Sequence, residues 1–226
     1  MKILAADTSG QSLSVALMTG DTLVYECTLS NGLRHSENLM PLIDAAMRAA
    51  KITPSDIDRF AVVTGPGSFT GVRIGVAAMK AMAQVADKPC VGVNALQALA
   101  FGVFEYPGVV CAMRDARAEQ VYCAAFQNGQ YVRHDAALSI GAFLESLVPL
   151  GVCCFVGDGA DAYRNQISEI MGKSAVFPPQ PLSVLRASNV ASLARNAETM
   201  DYRQLLPYYL RAPQAERERL AREARQ

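Results

Sequence analysis

Thr64-Gly-Pro-Gly-Ser-Phe-Thr-Gly-Val-Arg-Ile-Gly75 follows the apolar run Phe60-Ala-Val-Val63. The run reads as a buried strand and residues 69–86 as a helix, so the glycines mark a strand-to-helix turn. Gly65 and Gly67 can take positive φ and leave room for a ligand to approach the backbone. The N–H groups at a helix N-terminus have no partners within the helix, and the dipole there favours anions. Such a turn suits a phosphate, and Ser68 stands beside it. It is not a Walker A loop, because no Gly-Lys-Ser/Thr follows, and its spacing is not GxGxxG. A tight turn serving close helix packing explains the same residues, and spacing alone leaves both readings open.

Outward from this turn, the first half of the chain reads as strands 2–7, 12–19 and 22–30, a helix over 36–50, strand 59–64, the glycine turn and helix 69–86. Alternation and the Gly20-Asp21 turn carry the hairpins, and apolar spacing such as Leu39, Ile43, Ala46 and Met47 carries the helix. The second half repeats the order. Strand 109–114 leads through Asp115-Ala-Arg117 to strand 120–126, and the Asn128-Gly129 turn leads to strand 131–139. A helix over 140–149, strand 152–157, the turn Gly157-Asp-Gly159 and a helix over 160–171 complete it. Asp7 and Asp115 occupy matching strand ends, and Gly65/Gly67 match Gly157/Gly159. A repeat of element order is a fold-level signal. It predicts an α/β protein of two similar lobes, each a mixed sheet with flanking helices. The arrangement resembles the actin, hexokinase and Hsp70 superfamily, whose hairpin and glycine turns grip nucleotide phosphates across a cleft. Pro107-Gly108 marks the expected boundary, giving lobes 1–106 and 107–226, with the tail of the second packing back on the first. Pro178-Pro-Gln-Pro181 reads as a linker, and residues 187–200 as a helix capped by Ser188. The run 216–225 reads as a charged, solvated helix or frayed end.

The chain has 226 residues, enough for a real core, and Lys+Arg equals Asp+Glu at 21 each. That balance argues against a broad electrostatic footprint on nucleic acid. No apolar run is long enough to span a membrane, and Asp7 comes too early for a signal peptide. The six cysteines, none spaced as CxxC, fit free buried thiols in a reducing cytoplasm.

Asp7-Thr8-Ser9 offers a carboxylate and two hydroxyls at a strand end, where turn capping is the alternative. With Gly65, Gly67, Ser68, Asp115 and Asp158 it forms the candidate set of nucleotide-facing loops; Arg117 stands beside Asp115. His35 and His134 fit no HxxxH or HExxH spacing, so no metal site is expected. His35 reads as part of a helix start, and no catalytic residue can be assigned. Gly71 and Gly75, four apart, would let another helix come close, and Met40, Met47, Met79 and Met82 suit an exchangeable surface. With Leu39 and Ile43 these residues form the expected partner interface; ordinary core is the alternative.

Asp7-Thr-Ser9, Arg34-His-Ser-Glu-Asn-Leu-Met-Pro41, Gly65–Gly75, Asp115-Ala-Arg117 with Val121-Tyr122, and Tyr209-Leu-Arg211 together resemble the TsaB, or YeaZ, family over essentially the whole chain. The resemblance implies a bacterial, cytoplasmic, non-catalytic partner of TsaD and of the ATPase TsaE. Those proteins place a threonylcarbamoyl group on N6 of adenosine 37 in tRNAs reading codons that begin with A. It implies that ATP and metal belong to partner subunits and that tRNA is met only through the complex. It further implies TsaD docking through the first-lobe helices and a homodimer through the same surface. Catalytic relatives carry metal-binding histidines where this chain reads Gly92-Val-Asn-Ala-Leu-Gln-Ala-Leu-Ala100. An independent small-molecule kinase or ATPase is the alternative function, and a metallopeptidase is disfavoured by the missing histidines.

Overall fold

The computed structural model describes residues 1–30, 32 and 34–211. The charged run 216–225 lies outside the described residues. Two five-stranded sheets organise the chain. The first contains β1 (Lys2–Asp7), β2 (Leu13–Thr19), β3 (Thr22–Leu29), β4 (Arg59–Gly65) and β5 (Cys90–Asn94), in the order β3-β2-β1-β4-β5. The second contains β6 (Val109–Asp115), β7 (Gln120–Gln127), β8 (Gln130–Ser139), β9 (Cys153–Val156) and β10 (Ala175–Val176), in the order β10-β9-β6-β7-β8. Read from the other edge, the second order is the first with five added to every strand. In both sheets the first three strands pair antiparallel and the later strands pair parallel. The repeat of pattern is therefore a repeat of topology.

The helices are α1 (His35–Ala50), α2 (Phe69–Ala86), α3 (Ala95–Phe101), α4 (Ile140–Leu147), α5 (Asp158–Ala162), α6 (Arg164–Met171), α7 (Gln180–Ser183) and α8 (Ala187–Asn196). Strand side chains alternate faces, so each sheet divides its apolar residues between two cores. Leu4, Ala6, Val15, Leu17, Phe60 and Val62 face α1 and α2. Ile3, Ala5, Ala16, Ala61 and Val63 face a middle layer built from α3 and α8. The second sheet meets that layer with Val110, Ala112, Ala124 and Val156. Its other face packs Cys111, Met113, Cys123 and Phe155 against α4, α5 and α6. The result is five layers, helix–sheet–helix–sheet–helix. The middle layer is rich in alanine, including Ala95, Ala98, Ala187, Ala191 and Ala194, and small side chains let the two sheets share one core.

Several expected boundaries move. The helix expected over 160–171 breaks at Tyr163, whose φ of −110° and ψ of 19° leave the helical region between α5 and α6. The helix expected over 140–149 gives way after Leu147 to a short 3₁₀ turn containing Pro149, a residue that has no N–H to continue the ladder. Ser188 does not cap α8, which begins one residue earlier and ends at Asn196. The cap comes from elsewhere: Glu26 on β3 accepts the Ser188 N–H at 2.9 Å and pairs with Arg186. Pro181 lies in α7 rather than in an irregular linker. The chain then returns to the first sheet. Arg59 Nη1 donates to the carbonyls of Ala194, Arg195 and Ala197, and Met200 bridges Cys90. Residues 202–211 continue as a strap, with Leu205 buried in the core under α1 and α2 and the Tyr208 N–H donating to the Thr64 carbonyl near the end of β4.

Among the described residues no helix is long and apolar enough to cross a membrane. All six cysteines are free, five of them buried and Cys27 half-buried.

Candidate functional site

The carboxyl ends of the central strands of both sheets converge on a cavity of about 780 Å³. From the first lobe come the β1–β2 turn and the start of α2; from the second come the β6–β7 turn and the start of α5. Of the eight residues expected to face a ligand, Ser9, Gly67, Ser68, Asp115 and Asp158 line this cavity. Asp7, Thr8 and Gly65 are buried behind its wall, which corrects the expectation for those three.

The correction has a physical cause: the chain itself fills the room that was expected to receive a ligand. Gly65 has φ +127°, yet a Cβ there would overlap the carbonyl of Tyr208, whose N–H donates to the Thr64 carbonyl at 2.7 Å. A Cβ at Gly67 would overlap the carbonyl of Ser9, which accepts the Ser68 N–H at 2.7 Å. The Gly65–Pro66 peptide is cis. Ser68 accepts the Gly71 N–H at 3.2 Å as the N-cap of α2. Tyr209 stacks on Phe69 with centroids 5.0 Å apart, and its hydroxyl accepts from Arg73 Nε at 2.8 Å. The strap thus seals the outer side of the glycine turn.

Asp7 is 0 % exposed. Its Oδ1 accepts from the Ser9 N–H at 2.8 Å and from Ser9 Oγ at 2.6 Å. Its Oδ2 faces Arg114 Nη2 at 3.3 Å, and Arg114 Nη2 also donates to Ser9 Oγ at 2.8 Å. Arg114 Nη1 lies 3.6 Å from Asp158 Oδ2. The residues at the two lobes' strand ends are therefore joined through one guanidinium. Asp115 accepts from the Arg117 N–H at 2.8 Å and from the Tyr163 hydroxyl at 3.3 Å. Burial, and then the Asp115 charge, raise the Tyr163 phenol above its ordinary range. Arg117, Ala118 and Glu119 all take positive φ, so the β6–β7 turn is strained where it meets the cavity. His35 neither caps a helix nor reaches the cavity; it is buried, and its Nε2 bonds the Gly10 carbonyl at 2.9 Å. His134 is exposed on β8 and stacks on Tyr131. No group of three side chains able to hold a metal occurs among the described residues.

Arg114 was absent from the sequence-derived set. Its signal was a single charge at the end of the apolar run Val109-Val-Cys-Ala-Met113. A buried charge in a strand requires a partner, and the matching strand end of the first lobe, Asp7, supplies one.

The expected partner interface divides. Leu39, Ile43, Met47, Gly71, Gly75 and Met79 are buried within this chain. Thr8 explains both glycines: a Cβ at Gly71 would overlap its carbonyl and one at Gly75 its hydroxyl. Thr8 Oγ1 donates to the Gly71 carbonyl at 2.7 Å, so these glycines seat α2 on the β1–β2 turn rather than on another chain. Met40 is 50 % exposed and Met82 half-buried. The outward stripe of α2 runs instead through Ile74, Ala77, Ala78, Ala81, Met82 and Val85, the last 86 % exposed.

A family model described as "TsaD: tRNA N6-adenosine threonylcarbamoyltransferase" matches residues 31–218. The tRNA threonylcarbamoyladenosine biosynthesis protein TsaB of Bacillus subtilis is 32% identical over 221 residues, covering 96% of this chain and 96% of the relative. The solved structure of YeaZ from Pseudomonas aeruginosa superposes with a TM-score of 0.75 at 27% identity, covering 92% of this chain and 99% of that one. Component A of the (R)-2-hydroxyglutaryl-CoA dehydratase of Acidaminococcus fermentans, at 12% identity and a TM-score of 0.52, shares the fold alone. The two sheets repeat one topology, as the element order predicted, and the chain belongs to the TsaB (YeaZ) family.

Proposed function

We propose that this chain is a non-catalytic scaffold in the placing of the threonylcarbamoyl group on N6 of adenosine 37 of tRNA, and that it acts by docking TsaD and, with it, TsaE. The observation that carries the reading is the apolar stripe on the outer face of α2. Ala77, Ala81 and Val85 are exposed there, with Ile74, Ala78 and Met82 half-buried beside them. An apolar helix face of this kind suits a helix from another chain. A two-fold homodimer would present the stripe to itself, so self-association and TsaD docking would compete. ATP and metal belong to the partner subunits in this reading, tRNA is met through the assembled complex, and the setting is cytoplasmic. The commitment of Asp7 and Asp158 to Arg114 supports it, since neither carboxylate is free to act as a base.

Co-purification with TsaD tests the reading. Ala81 is exposed, so Ala81→Arg leaves folding intact. A charge buried without a partner at the interface weakens binding by about 3–5 kcal/mol, a loss of at least about 100-fold. Unchanged affinity of a folded Ala81→Arg protein removes α2 from the interface. One observation favours the second reading, an independent kinase or ATPase: the 780 Å³ cavity between the lobes. Robust ATP hydrolysis by the isolated chain would select it.

A further inference from the structure

The two lobes repeat one topology, so a difference in charge at their strand ends is informative. β1 ends Ala6-Asp7 and β6 ends Arg114-Asp115. Ala6 and Met113 face the outer helices, so Arg114 stands on the face where the first lobe has Asp7, and the matched positions carry opposite charges. The Arg114 guanidinium does not stay in its own lobe. It is 3 % exposed and lies against Asp7 and Ser9 of the first lobe through Nη2 and Asp158 of the second through Nη1. Among the described residues it is the only cation within ion-pair distance of either carboxylate. Space for it is made by Gly10, where a Cβ would overlap Nη1.

We propose that Arg114 is an interlobe latch, a built-in cation that occupies the place between the two lobes' turn carboxylates and so fixes the opening of the cleft. The shared core around α3 and α8 holds the lobes together at the base. Arg114 holds them at the strand ends, where the cavity lies. Without the guanidinium, Asp7 is a fully buried charge with no counter-ion among the described residues, a strongly unfavourable arrangement. The structure then has two ways to relieve it. The lobes part and water enters, or a hydrated divalent cation takes the vacated place, since Mg²⁺ binds one or two carboxylates while keeping several waters.

Arg114→Met, which keeps an unbranched apolar stem and removes the charge, gives the test on the full chain. The latch predicts a melting temperature lower by about 10 °C. It predicts faster amide exchange in residues 8–12 and 157–162 together, by a larger factor than in the β4 and β9 cores. It also predicts that millimolar Mg²⁺ restores much of the loss in the variant and does not move the wild type. Should Arg114→Met fail to fold, Gly10→Ala displaces the guanidinium while keeping every charge, and the same paired exchange is expected. The proposal is overturned if a folded variant melts like the wild type, if exchange rises in one turn alone, or if Mg²⁺ acts on wild type and variant alike.

Discussion

Gly75→Ala separates two accounts of α2. If Gly75 lay on a surface for another chain, one added methyl would disturb docking and leave the fold alone, and alanine would even favour the helix by about 1 kcal/mol. In this structure the added Cβ overlaps Thr8 Oγ1 and stands 3.2 Å from Val62 Cγ2. Both neighbours are buried, on strand β4 and on the turn after β1, so neither yields freely. Overpacking of this kind costs about 1–3 kcal/mol. Turning Thr8 aside also breaks its 2.7 Å bond to the Gly71 carbonyl, leaving a buried hydroxyl unpaired at about 1–3 kcal/mol. Set against the helix gain, the net loss is about 1–5 kcal/mol. A domain of this size moves about 2–4 °C per kcal/mol, so melting falls by about 2–20 °C. Thermal denaturation followed by circular dichroism is the assay, with Thr8→Ala in the same background as a control. The double variant should recover part of the loss, because the obstructing hydroxyl is gone. A Gly75→Ala protein that melts at or above the wild type refutes the Thr8 seat and returns Gly75 to the candidate interface.

Three further outcomes follow from local features. Ala118 sits at φ +50° in the β6–β7 turn, so Ala118→Gly should stabilise by about 0.5–1 kcal/mol after the entropy of the freer unfolded chain is subtracted; a lower melting temperature would contradict the strain. Burial pushes the Cys90 and Cys154 thiols up to about 11 and Cys123 up to about 12. The native protein at about pH 8 should therefore expose only the half-buried Cys27 to a disulfide reagent, and all six thiols after unfolding. These raised values also set a sign. The thiols stay protonated in the fold while the unfolded chain loses protons from the ordinary value of 9.0 upward. Their contribution to stability is thus complete below pH 9 and is lost as pH rises toward 11 to 12. Urea midpoints that hold steady across that range would count against burial of these groups.

Much of the fold was legible because it rests on local patterns. The apolar strands, the Asn128-Gly129 hairpin and the strand–glycine–helix turn are each written in consecutive residues, and their repetition named the topology. What was not legible depends on residues far apart in the chain. Glu26 caps α8 from 162 positions away, so Ser188 was read as its own helix's cap. Gly65 and Gly67 carry the signature of a ligand turn, but Tyr208 and Ser9 occupy the space they leave. Gly71 and Gly75 share a face as expected, yet which neighbour uses that face is decided by Thr8, a residue 63 positions before Gly71. Small residues report that something approaches closely and do not report what.

The scaffold role is tested most directly by reconstituting threonylcarbamoyl transfer to tRNA from TsaD, TsaE and the separately made donor, with and without this chain. Product that forms only when this chain is present, with no transfer by the chain alone and loss of product on Ala81→Arg, is the predicted result. Transfer at full rate without it, or sustained turnover by the chain by itself, would contradict the account.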